Sequence, residues 1–395
     1  MITEKYKIKE RIDWLVKNKV NSISPTISPA PKNKVENEVE SPIKALQYYF
    51  DRGVRDFIVQ KKYMGSYCDI YLTADINDTY FISRNGFRIN HIDTEEAITS
   101  CKDLHSKFNW DLYSTIIIQS EMLPWAALGQ TLITNDFYAY ANAHETHNAY
   151  LKSVNLYEKI EQVRRSSKYQ EYKSILETHK TVIPNKVIDQ HVIRQYKSID
   201  DLKILNLEEY SKNIELYQRQ INHYGKQAPI QFKAFNVLKK IRHDGEEELV
   251  NDNYSYTSVN DDTCMIFTIT NEAELETQNQ NISIWFESLT NNMEEGIMIK
   301  PREAFGDNLP PCFKVRNNNY LTMIYGVHFL DEYKRYLKKR SITKKLENSI
   351  NQWMLNKALL KIKNSDINDD NFYYKNLMYE RIIGESKMKS IDHRL

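Results

Sequence analysis

Gln60-Lys61-Lys62-Tyr63-Met64-Gly65-Ser66-Tyr67-Cys68-Asp69-Ile70-Tyr71-Leu72 puts a lysine at the end of one apolar segment and a glycine before the next. Phe57-Ile58-Val59 reads as a short buried strand, and Cys68, Ile70 and Leu72 alternate with Tyr67, Asp69 and Tyr71 in the period of a half-buried one. Lys62 is therefore expected in the turn between two strands. A lysine held by rigid sheet and partly desolvated is more easily neutral, and the neutral amine is a nucleophile. Gly65, with no side chain, is expected to let a phosphate or ribose approach the backbone. Lys-x-x-Gly alone arises by chance about once in a lysine-rich chain of this length, so its weight depends on the segments C-terminal to it.

Several strand ends downstream carry charge. Thr79-Tyr80-Phe81-Ile82 leads into Ser83-Arg84-Asn85-Gly86, where Asn-Gly signals a hairpin turn. Thr115-Ile116-Ile117-Ile118 is a buried strand that delivers Glu121 within Gln119-Ser120-Glu121-Met122-Leu123-Pro124-Trp125. Strands are also expected over Gln231–Leu238, with Phe235 inside it, and over Cys264–Ile269. A helix through Ile284, Trp285 and Leu289 precedes Glu295-Gly296-Ile297-Met298-Ile299-Lys300-Pro301. Phe313-Lys314-Val315-Arg316 and Tyr320–Tyr325 are read as a strand pair joined at Asn317-Asn318-Asn319, with Lys314 and Arg316 on one face.

Around this skeleton the chain is read as five stretches. Residues 1–40 form an amphipathic helix and a Pro/Ser linker, in which Ser22–Pro31 is stiff and extended. Residues 41–125 are the first part of a sheet core, opened by a helix with Ser41 as its cap and Pro42 in its first turn. Residues 126–227 are a helical insert: Tyr210, Ile214, Tyr217, Ile221 and Tyr224 recur at helical spacing, and His144 and His147 lack further metal-ligand candidates. Residues 228–326 complete the core. Residues 327–395 are a helical C-terminal module, whose basic run from Lys334 to Lys345 is the best candidate for contact with a phosphate backbone.

With 395 residues, 41% hydrophobic, 27% charged and a formal net charge of +1, the chain has the composition of a globular protein, and any nucleic-acid site must be a local patch. The four cysteines lack zinc spacing and read as free thiols in the cytoplasm. No apolar run approaches the roughly 18 residues that span a bilayer.

In order, Lys-x-x-Gly, Ser-Arg-Asn-Gly, a strand ending in Glu, an aromatic strand, Glu-Gly-Ile-Met-Ile-Lys and Lys-x-Arg resemble the covalent nucleotidyltransferases, the ATP-dependent ligases and capping enzymes. The match is narrower for Lys62–Ser66, Glu121–Trp125, Ala234–Leu238, Trp285–Thr290, Glu295–Pro301, Tyr320–Gly326 and the terminal Asp392–Leu395. These segments are similar to the ligase domain of bacterial polynucleotide kinase-phosphatase-ligase RNA repair enzymes.

That resemblance implies an α+β fold: an antiparallel-sheet nucleotidyltransferase core (ATP-grasp-like ligase) with a helical insert and a helical C-terminal module. It implies an ATP-dependent RNA ligase in which Lys62 forms lysyl-AMP, Phe235 stacks on adenine and Glu121 holds the ribose, with Lys61, Gly65 and Arg84 also on the nucleotide. Glu295 would organise magnesium, with manganese as the alternative. Lys300, Lys314 and Arg316 would neutralise phosphates. The family usually has arginine where this chain has Tyr67, and Arg84 is the candidate substitute.

No Gly-x-x-x-x-Gly-Lys-Ser/Thr loop or two-metal His/Asp cluster is present for healing broken ends. The implied partners are therefore a separate kinase-phosphatase subunit and an RNA 3′-terminal 2′-O-methyltransferase subunit, and the implied substrate is cleaved transfer RNA with 3′-OH and 5′-phosphate ends. Two alternatives are a GTP-using capping-type enzyme, which shares the early motifs, and a catalytically weak ligase-fold scaffold for RNA and partners.

Overall fold

Lys62 closes one sheet and Ser66 opens another. The computed structural model describes residues 2–125, 132–178, 188–202, 204–253, 263–387 and 394–395. Its strands are β1 (Ser28–Pro29), β2 (Asp56–Lys62), β3 (Ser66–Thr73), β4 (Tyr80–Ser83), β5 (Tyr113–Leu123), β6 (Gln231–Arg242), β7 (Glu247–Leu249), β8 (Cys264–Thr268), β9 (Gly296–Pro301) and β10 (Phe313–Arg316). They make two five-stranded sheets, ordered β1-β10-β9-β2-β8 and β4-β3-β5-β6-β7. Every pairing is antiparallel except β1 with β10. Residues 63–65 carry the chain from the first sheet to the second.

In the first sheet the period of two sorts the side chains. Phe57 and Val59, Ile297 and Ile299, and Phe313 and Val315 pack under the helices Pro42–Phe50 and Glu272–Asn291. Lys62, Lys300 and Lys314, at alternate positions, belong to the other face. Ser41 is at the first helix's N-cap position without capping it; its hydroxyl donates to Glu38 Oε2 at 2.5 Å.

In the second sheet both faces are covered, so β3 is buried on both sides from Cys68 to Leu72 and not half-buried. Cys68, Ile70, Leu72, Ile116, Ile118 and Val237 pack with Ala97, Cys101 and Leu104. Tyr71, Ile117 and Leu238 face the N-terminal helix Ile2–Lys17 and the C-terminal helices Thr343–Leu360 and Phe372–Lys387.

Two expectations change. The Ser22–Pro31 run is extended, as its prolines require, but it is packed into the protein. Asn21 N–H donates to the Tyr71 hydroxyl (2.9 Å), Thr26 N–H donates to Gln352 Oε1 (2.7 Å) and Asn356 Nδ2 donates to the Ile23 carbonyl (2.7 Å). Tyr320–Tyr325, expected as a strand, belongs to the helix Asn318–Tyr325. Asn317 caps it by accepting the Tyr320 N–H at 2.8 Å, and three buried side chains, Tyr320, Leu321 and Met323, give it an anchored face that outweighs their β preference.

By contact the described chain divides into two units, residues 1–133 with 220–395, and residues 134–219. The second is helical, from Tyr138–Ser153 to the greater part of Leu207–Tyr224. In it His144 Nδ1 and His147 Nδ1 lie 2.6 and 3.3 Å from the Tyr210 hydroxyl, which accounts for both rings as packing. Among the described residues no three His, Cys, Asp or Glu converge as a metal site, and no helix is long and apolar enough to cross a membrane. Of the terminal motif, Asp392 and His393 lie outside the described residues.

Candidate active site

The cleft faces of the two sheets enclose a cavity of about 1100 Å³, whose lining includes Lys62, Glu121, Phe235, Lys300 and Lys314. β2 is bonded to β9 with Lys62 opposite Gly296, and β9 to β10 with Arg316 opposite Gly296. That register needs a residue without a side chain: Gly296 has φ +150°, and a Cβ there would stand 2.0 Å from the Val315 carbonyl oxygen. The preceding turn carries Glu294 and Glu295. Asn317 clamps it from the next helix, its side-chain amide donating to the Glu294 carbonyl (2.6 Å) and its backbone N–H to that of Glu295 (3.1 Å).

Two parallel ion pairs result. Lys62 Nζ lies 2.8 Å from Glu295 Oε2, and Lys61 Nζ lies 2.5 Å from Glu294 Oε1. Lys62 retains 20% side-chain exposure against 3% for Glu295, so the amine reaches the cavity while its partner is enclosed.

Glu121 comes from the second sheet. On β5 it pairs with Tyr67 of β3 and Lys233 of β6, and its Oε1 accepts the Gly65 N–H at 3.1 Å. Burial pushes its carboxyl up to about 7 against the pull of Lys62; Glu295 raises it further, and the Gly65 N–H and Arg84 lower it. Gly65 lines the cavity, and its lack of a side chain also makes room for β5. A Cβ there would lie 2.4 Å from the Met122 carbonyl oxygen and 2.7 Å from Glu121 Cγ, so the space a side chain would need is taken by β5. Gly65→Ala is expected to cost about 1–3 kcal/mol of stability and to displace Glu121. Urea denaturation checks this, and an unchanged midpoint would show that β5 yields the space without cost.

Phe235 is aimed by a bulge. Gln119 pairs with Asn236 and Ser120 with Ala234, which leaves Phe235 as the extra residue of β6. Its ring lies 6.3 Å from the Tyr67 ring and 5.4 Å from Lys300 Nζ. Burial holds Lys300 down to about 8. Lys314 is also held low, first by burial and then by the charges of Arg316, Lys345 and Lys62. Cations that burial has made costly are poised for an anion that would restore their charge.

Arg316 is not brought to the cavity. Its guanidinium grips Glu40, at 2.5 Å from Nη2 and 3.1 Å from Nε, and donates to the Arg394 carbonyl at 3.0 Å. Arg340 reaches the same Glu40 carboxylate. Arg84 lines the cavity at an exposed position.

Tyr67 also finds a place. Its hydroxyl donates to Asp69 Oδ1 and accepts from Gln119 Nε2, both at 2.7 Å, and Gln119 Oε1 accepts from Asn236 Nδ2 at 3.2 Å. Burial lifts the Asp69 carboxyl to about 7, while the Tyr67 and Ser22 hydroxyls oppose the rise. This chain of polar groups was not anticipated. The available signal was an aspartate inside an otherwise apolar strand.

The family profile described as PNKP adenylyltransferase domain, ligase domain, matches residues 15–366. No curated protein gives a significant match. A chain of the Pnkp1/Rnl/Hen1 complex superposes with TM-score 0.94 at 44% identity, covering 99% of this chain and 100% of that one. A second structure, of the Pnkp1/Rnl/Hen1 RNA repair complex, gives 0.91 at 44% identity and the same coverage.

Proposed function

Given that the chain belongs to the PNKP adenylyltransferase (ligase domain) family, we propose that it is the ATP-dependent RNA ligase subunit of an RNA repair complex. It would join 3′-OH and 5′-phosphate ends, cleaved transfer RNA being the implied substrate, beside a kinase-phosphatase and a 3′-terminal methyltransferase subunit. The observation that carries this reading is Lys62 in a cleft with an aromatic ring on one wall and buried lysines on another. Four buried free cysteines fit a cytoplasmic setting.

Adenine would lie against Phe235 and the ribose hydroxyls would donate to Glu121, with the triphosphate toward Lys300 and Lys314. Lys61 and Arg84 border the nucleotide, and Gly65 holds Glu121 in position. The Lys62 amine, whose proton has an acceptor in Glu295 Oε2 at 2.8 Å, attacks the α-phosphorus. An N–P bond forms, the bond to pyrophosphate breaks, and the cations offset the charge that builds on the phosphates. An oxygen of the RNA 5′-phosphate then displaces Lys62 to take the AMP. The 3′-hydroxyl attacks that 5′-phosphorus and AMP leaves.

Glu295 is the residue we assign to magnesium or manganese. The chemistry of the site fits: Glu295, in the turn before β9, makes ionisation of Glu121 costlier, and a hard cation takes oxygen ligands with the remainder from phosphate and water. When bound, such an ion supplies charge neutralisation at the phosphates. Arg316 we assign to bracing β10 beside Lys314.

The test is intact mass after incubation with magnesium and either ATP or GTP. An added AMP, and no added GMP, is expected; no adduct with either nucleotide, the partner subunits being present, would overturn the reading. Phe235→Ala is expected to weaken ATP binding about tenfold or more while the protein still folds. A fall in melting temperature on the scale of a core deletion would show the ring to be packing instead.

A further inference from the structure

The basic run of the C-terminal module is sorted by the fold into three sets. Arg340 is buried on Glu40, and Lys345 is buried where it lines the cleft, close enough for its charge to act on Lys314. Arg335 is occupied by Glu332 at 2.7 Å. Lys334, Lys338, Lys339 and Lys344 are left exposed, and none of them is in an ion pair among the described residues.

A fifth cation, Lys34, is exposed on the hairpin Asn33–Glu38, which is fastened to the same surface. The Tyr333 hydroxyl donates to the Asn37 carbonyl (2.6 Å), and Lys32 Nζ donates to the carbonyls of Lys338 (3.0 Å) and Arg340 (2.7 Å). Three of the neighbouring acids have partners: Glu38 accepts from Ser41, Asp331 faces His328 and Glu332 holds Arg335. Glu36 is exposed beside Lys34, and Glu347 is exposed three residues after Lys344.

We infer that this face is a track for the phosphate backbone of single-stranded RNA, continuous with the cleft through Lys345 and Lys314. The inference rests on the ligase reading for the identity of its ligand. Like charges gathered on one face repel unless counterions or an anionic polymer lie over them, and replacing those counterions with phosphates is the main source of non-specific nucleic-acid affinity. Lysines meet phosphates as point charges, so the contact is one of charge and independent of sequence.

The test compares the full chain with the variant Lys334→Gln/Lys338→Gln/Lys339→Gln/Lys344→Gln. A fluorescent single-stranded oligoribonucleotide is titrated by anisotropy at several salt concentrations. Each lost phosphate contact removes about 0.7 from the slope of log affinity against log salt, so a reduction of about 2 to 3 and a loss of about tenfold or more in affinity at low salt are expected. Lysyl-AMP formation from ATP should match the wild type, since no substituted residue is in the nucleotide cleft.

Affinity and slope equal to wild type would overturn the track. So would an equal loss from Lys9→Gln/Lys44→Gln/Lys102→Gln/Lys212→Gln, because the effect would then be net charge alone. Loss of binding to the kinase-phosphatase subunit with RNA binding intact would make the face a protein contact and reject the inference. An adduct that never forms in the wild type fails the ligase reading separately, because the RNA titration needs no nucleotide.

Discussion

Lys62→Ala is expected to abolish the covalent nucleotide adduct, lowering its rate of formation by about four orders of magnitude or more, with little change in stability. Loss of a nucleophile has that scale because the positioned donors that remain have no bond to stabilise. The side chain is partly exposed and is not packed in the core, so its truncation leaves no cavity. The rival is Lys61, adjacent in sequence. Lys61 also lines the cavity, and there Glu294 holds its ammonium at 2.5 Å. Intact mass of wild type, Lys62→Ala and Lys61→Ala after incubation with ATP decides between them. An adduct that persists in Lys62→Ala and disappears in Lys61→Ala would move the nucleophile by one residue and invert the reading of the two ion pairs.

Local features were the legible ones. Phe57-Ile58-Val59 and Ile116-Ile117-Ile118 are buried β segments on composition alone, and Asn85-Gly86 makes the turn its residues demand, with Gly86 at φ +83°. The α+β architecture, with antiparallel sheets and a helical C-terminal region, followed from those segments and from the family resemblance. Relations across distance were hidden. No pattern in residues 60–72 says that the strands on either side of Gly65 join different sheets, yet that crossing brings Lys62 to Glu121. The bulge that frees Phe235 is a register difference between two strands and has no signature in either. Tyr320–Tyr325 misled because aromatic and β-branched residues suit a strand, whereas the asparagine before them caps a helix. The Ser22–Pro31 run looked like a linker because its hydrogen-bond partners, Gln352 and Asn356, lie more than 300 positions away.

Glu40 was the least legible residue and gives the largest stability prediction. Burial alone would push its carboxyl up; Arg316 and Arg340 overcome that and hold it down at about 2, against an ordinary value of 4.5. It also accepts the Arg316 backbone N–H at 2.7 Å. Glu40→Ala leaves two buried guanidinium groups without their counter-charge and is expected to cost about 3–5 kcal/mol, read as the shift in urea midpoint. Because the folded value is depressed, the stabilisation is fully present above the unfolded value and is lost as pH falls from about 4.5 toward 2. Glu40→Gln, which keeps the shape and loses the charge, should therefore flatten that part of the acid-denaturation profile. The same change loosens β10, on which Lys314 reaches the cleft, so adduct formation should fall in Glu40→Gln even well below its melting temperature. A loss under about 1 kcal/mol, with an unchanged acid profile, would mean that Arg316 and Arg340 find water or other acceptors, and Arg316 would then be available to the phosphates after all.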